Sequence, residues 1–94
     1  METFRSVIDQ EFSDYKLVGL TNKLNSRNAK SYADVINSNP SNIYLVEKKP
    51  TNVRIFRDLN YPSHRYLFLN KEKVFALENT NLADNIDSFK EFLN

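Results

Sequence analysis

The sequence predicts an α+β domain: N-terminal helices, a four-stranded antiparallel β-meander over about residues 42–78, and a C-terminal amphipathic helix packed on the sheet. Two observations carry that expectation. Four short runs of β-branched, aromatic and aliphatic residues follow one another, Ile43–Val46, Val53–Phe56, Tyr66–Leu69 and Val74–Leu77, with polar turn residues between them. Beyond them Leu82, Ile86, Phe89 and Leu93 stand at helical spacing, with Phe92 widening the stripe.

The elements follow in order. Residues 3–13 read as a helix, because Phe4, Ile8 and Phe12 fall on one face with Val7 beside them and Thr3 is placed to cap it. Residues 15–20 fit a short strand or the start of another helix, and Gly19, the only glycine, argues against the helix. A second helix is expected over 28–37, where Ala29, Tyr32, Ala33 and Ile36 repeat at helical spacing. The Asn37–Asn42 stretch, with Pro40, ends it. Lys49–Asn52 reads as the first hairpin loop, 58–64 as a longer connection and Asn70–Lys73 as a tight turn. Asn81 followed by Asp84 has the spacing of a capping box for the last helix.

Ninety-four residues, 40% hydrophobic and 27% charged at a net charge of +1, are expected to make one globular domain, 1–94. Cysteine is absent, the N-terminal residues include Glu2 and Arg5, and no apolar run approaches the roughly 20 residues of a membrane span. These features lead to the expectation of a cytoplasmic protein without disulfides or a membrane partner. Thirteen asparagines suit an AT-rich coding sequence, as in some bacteria and phages.

The chemistry is bounded mainly by what is scarce. One glycine cannot build a phosphate-cradling loop, and one histidine without cysteine makes a zinc site improbable. No cofactor and no metal are expected. The group that stands out is Arg54, Arg57, Tyr61, His64 and Arg65, with Tyr66 beside it. If the second and third strands paired, the arginines would approach His64, and cations with a histidine and a tyrosine are what a small metal-independent ribonuclease toxin requires. The same residues suit a protein interface, where Arg and Tyr are favoured anchors.

Residues 42–78 carry seven Lys and Arg against four Asp and Glu, interleaved with Tyr44, Phe56, Tyr66, Phe68 and Phe75. A nucleic-acid-binding sheet would use such residues for phosphate contact and base stacking. The segments Tyr66–Leu69, Lys73–Leu77 and Ile86–Leu93 together are similar to the closing part of the SMI1/KNR4-like immunity superfamily, over under a third of the chain. That resemblance implies a protein that neutralises a toxin by binding it.

The leading expectation is therefore a non-enzymatic protein-binding domain: an inhibitor, an immunity or antitoxin-type protein, or a phage-encoded modulator. The ribonuclease and a nucleic-acid-binding regulator are the alternatives. A homodimer formed through an edge strand, Ile43–Val46 or Val74–Leu77, is a further expectation.

Overall fold

A computed structural model describes residues 2–20, 36–37, 39–78 and 81–94. Helix α1 spans Glu2–Glu11 and leads to strand β1, Lys16–Gly19. Strand β2 is Asn42–Glu47, followed by a 3-10 turn, Pro50–Asn52, that runs directly into helix α2, Val53–Asp58. Strands β3, Tyr66–Asn70, and β4, Lys73–Leu77, form a hairpin, and a second 3-10 turn, Leu82–Asn85, opens into helix α3, Ile86–Leu93.

The four strands form one sheet in the order β1-β2-β3-β4. β2 pairs antiparallel with β3, Leu45 opposite Phe68, and β3 pairs antiparallel with β4, Phe68 opposite Phe75. β1 pairs parallel with β2, Lys16 opposite Asn42 and Gly19 opposite Leu45. The class is α+β as the sequence predicts, with one parallel pair in the sheet.

Two details differ from the expected meander. Val53–Phe56 is helical, so only three strands lie between 42 and 78, and the fourth is Lys16–Gly19, the segment whose sequence fits either state. In a strand Ile55 and Phe56 would point to opposite faces. In α2 they share one side with Leu59, and all three join the same cluster. The expected helix over 28–37 lies outside the described residues except for Ile36 and Asn37, which are helical.

Each strand alternates its side chains between two cores. Ile43, Leu45, Phe68 and Leu77 face a core closed by Phe4 and Ile8 of α1 and by Phe89 and Phe92 of α3. Tyr44, Val46, Leu67 and Leu69 face a second core containing Ile55 and Phe56 of α2, together with Leu20 and Ile36 from the two ends of the β1–β2 connection. With helices on both faces a strand has no solvent side. That is why β2 and β3 read as unbroken apolar runs rather than as alternations.

Phe68 centres the first core. Its ring meets Phe4 and Phe89 edge-on, each at 5.2 Å between centroids. Phe89 also makes edge contacts with Phe12 and Phe75. Asn81 donates from Nδ2 to Asp84 Oδ2 at 2.7 Å, a side-chain pair ahead of the second 3-10 turn, while α3 proper begins after Asn85.

Candidate binding surface

The five residues singled out in the sequence lie on and just after α2, and the local sequence dictates how that unit is held. Pro50 sits at the first position of the 3-10 turn, where its fixed φ and missing N–H cost nothing. Asn52 is buried, yet its side chain is satisfied from both ends. Oδ1 accepts the Lys49 backbone N–H at 2.7 Å, and Nδ2 donates to the Glu47 carbonyl at 2.9 Å. The turn is thereby tied back to the end of β2.

The C-terminus of α2 is a Schellman motif. Asn60 takes φ 67°, its N–H donates to the Arg57 carbonyl at 3.0 Å, and the Tyr61 N–H donates to the Phe56 carbonyl at 2.6 Å. Asn60 here fills the left-handed position that glycine commonly takes. Tyr61 and Phe56 both pack into the second core, the apolar contact that accompanies this motif.

Helical geometry then fixes what α2 shows to solvent. Ile55 and Phe56 are buried, whereas Val53, Arg54, Arg57 and Asp58 are exposed. Val53 is 42% exposed, the one large apolar side chain exposed among the described residues. Arg57 lies one turn from Val53 on the same face. Neither Arg54 nor Arg57 forms an ion pair among the described residues.

The connection from α2 to β3 is pinned by Lys48, whose Nζ donates to the Pro62 carbonyl and whose backbone N–H donates to the Arg65 carbonyl at 2.8 Å. Lys48 Nζ also stands 5.8 Å from the centre of the Phe56 ring. His64 packs edge-on against Tyr61 at 5.2 Å, and both are half-buried. His64 Nε2 is 3.9 Å from Glu78 Oε1, while Nδ1 is buried and makes no hydrogen bond among the described residues. Arg65 is exposed, with its guanidinium 5.6 Å from the Tyr66 ring centre.

The structure thus joins Tyr61 and His64 directly and puts Arg65 next to them in the chain, but it does so by a route the sequence reading missed. Pairing of a strand at 53–56 with β3 was the premise that brought Arg54 and Arg57 towards His64. That pairing does not exist, because 53–58 is a helix, and both arginines project from its solvent face.

The base-stacking premise fails as well. Tyr44, Phe56, Tyr66 and Phe68 are buried and Phe75 is half-buried, because helices cover both sheet faces. Val53 and Lys48 were not among the expected residues. The signals that would have found Val53 are Pro50 at a helix start and Asn60 just past a helix end.

Charge is segregated across the sheet. Residues 48–65 carry Lys48, Lys49, Arg54, Arg57 and Arg65 against Asp58 alone, a net of +4. On the opposite face, α1 with its following turn and α3 with the 3-10 turn before it expose Asp9, Glu11, Asp14, Asp84, Asp87 and Glu91 against Arg5 and Lys90. A net charge of +1 for the whole chain conceals this separation. An open groove of about 490 Å³ lies at the β3–β4 turn, lined by Asn37, Pro40, Lys71, Glu72 and Lys73, and contains none of the expected site residues. Among the described residues no group of three or more His, Asp or Glu is placed to hold a metal ion, and no helix is long and apolar enough to cross a membrane.

Compared with known proteins, the chain matches no family model, no curated protein and no solved structure. The likeness of its closing segment to an immunity superfamily therefore carries no family assignment.

Proposed function

We propose that this chain works without catalysis, by docking the basic face of residues 48–65 onto an acidic surface of another protein. The observation that carries the reading is the exposed face of α2. There an apolar side chain, Val53, stands beside two arginines with no ion-pair partner among the described residues, on a helix held at both ends. A pre-ordered element carrying an apolar centre and an arginine rim loses little entropy on binding, and arginine is a favoured interface anchor. Tyr61, His64 and Arg65 extend this surface along the loop that follows the helix. The roles that suit such a small binding domain are an inhibitor, an immunity or antitoxin-type protein, or a phage-encoded modulator of a host protein. The cysteine-free composition supports a cytoplasmic setting.

The same cationic face supports a second reading, a nucleic-acid-binding regulator, because five cations within 48–65 could neutralise several phosphates. One experiment separates the two. The tagged chain is used to capture partners from the organism that encodes it, at low and high salt, with and without nuclease. A stoichiometric protein that survives nuclease supports the protein-binding reading. Loss of all bound material on nuclease treatment, with affinity falling steeply as salt rises, overturns it in favour of nucleic acid.

A further inference from the structure

We infer that β4 is the interface of a two-fold homodimer, pairing antiparallel with β4 of a second copy with Phe75 on the axis. Of the two candidate edge strands in the sequence, Ile43–Val46 is internal, with β1 on one side and β3 on the other. β4 has a strand neighbour on one side only among the described residues, and so does β1. The two edges differ. β1 is four residues long and ends in Gly19, a short strand of the kind that blunts an edge. β4 is five residues long and contains no proline, and Val74, Phe75 and Ala76 are each half-buried. Apolar side chains left partly covered along an edge strand are what an edge-to-edge partner would enclose.

The backbone register of β4 is compatible with a second copy as that partner. Asn70 and Lys73 face each other across the two-residue turn, so they form the hydrogen-bonded closing pair of the hairpin. Groups on alternate residues point the same way. Lys73, Phe75 and Leu77 therefore direct their N–H and C=O to β3, in agreement with the Leu77 carbonyl accepting from Arg65 N–H at 3.0 Å. Val74 and Ala76 direct theirs outward. A two-fold axis through Phe75 sets Val74 opposite Ala76 of the partner copy and Ala76 opposite its Val74, which satisfies the outward backbone groups of both residues in both strands.

The side chains agree with this register. Val74 meets Ala76 on the face where both already pack against the second core, and Phe75 meets its own copy on the face of the first. Phe75 is the middle residue of β4, so the pairing overlaps all five residues and sets Lys73 opposite Leu77 of the second copy. The rim is less favourable, because Glu72 falls opposite Glu78 of the second copy. An interface built on one short strand is at the small end of the size range, so a dissociation constant of roughly 10–100 µM is expected.

The test is analytical ultracentrifugation of the full chain across that concentration range, combined with cysteine crosslinking, which is specific because the native sequence has no cysteine. Wild type is expected to shift reversibly from monomer to dimer. Ala76→Pro removes an N–H that points away from β3, so it should leave the hairpin folded and weaken dimerisation by about tenfold or more. A mixture of Glu72→Cys and Glu78→Cys chains should form a disulfide-linked heterodimer, whereas either variant alone should not. The mixture decides the register even if the proline variant fails to fold. A chain that stays monomeric throughout would leave the edge to a strand of another protein and overturn the inference. Crosslinking that does not depend on mixing the two variants would overturn it equally.

Discussion

The N–H of Tyr61 donates to the carbonyl of Phe56 at 2.6 Å, and this bond, with the Asn60 N–H to Arg57 bond beside it, closes α2. It sets where the helix stops, and so which residues reach solvent. Val53, Arg54 and Arg57 face outward because Ile55 and Phe56 within the helix, and Tyr61 just beyond its C-terminal end, pack into the second core. A six-residue helix is too short to persist alone in water, so its order comes from these ties.

Asn60 is therefore the first position to test. Asn60→Ala puts a β-carbon side chain without a local polar partner at φ 67° and should lower stability by about 1–2 kcal/mol. Asn60→Gly should be neutral or slightly stabilising. Urea denaturation of the two variants reads the difference, and equal loss in both would mean that the left-handed turn is not what Asn60 supplies.

Asn52 tests the other end of α2. Asn52→Ala leaves the Lys49 N–H and the Glu47 carbonyl without their side-chain partner and should cost about 1–3 kcal/mol. Asn52→Asp keeps an acceptor for Lys49 but loses the donor to Glu47 and buries a carboxylate, so it should rescue little. A shift in urea midpoint below a tenth of the wild-type value would contradict the role given to Asn52.

The first core rests on Phe89, which is fully buried against Phe12, Phe68 and Phe75. Phe89→Ala should cost about 3–5 kcal/mol, a large part of the 5–15 kcal/mol typical of a whole domain. Near-UV circular dichroism and thermal melting would register the change. Phe89→Leu should lose far less, because it keeps most of the buried volume.

Much of this fold was legible because the signals were local. The Phe4, Ile8 and Phe12 spacing, the Ile86, Phe89 and Leu93 spacing and the apolar runs of β2, β3 and β4 each name their element. Val53–Phe56 was misread because a four-residue apolar run has too little length to separate a period of two from one of 3.6. Pro50 and Asn60 decide that case, through the backbone geometry they favour. The parallel pairing of β1 with β2 was not legible, since it depends on where the 20–41 connection carries the chain. At the site, the grouping of the residues assumed a strand where the chain is helical. Val53 was overlooked because as a strand residue it counted towards the core.

A change of charge on the basic face should alter association more than stability. Arg54→Glu with Arg57→Glu replaces two cations that lack ion-pair partners among the described residues, so the melting temperature should hold within a few degrees. Affinity for an acidic partner should fall by about tenfold or more. A large loss of stability instead would show that the two arginines serve the fold.

The most direct test of the binding surface is quantitative capture with two opposed variants of the full chain. One is Val53→Asp combined with Arg57→Glu on α2, and the other is Asp87→Lys combined with Glu91→Lys on α3. Both pairs are solvent-exposed, so both variants should fold, which circular dichroism checks. The account predicts that the partner retained by wild type is lost with the α2 variant and kept with the α3 variant. Retention by the α2 variant together with loss by the α3 variant would place the binding surface on the acidic face and contradict the account.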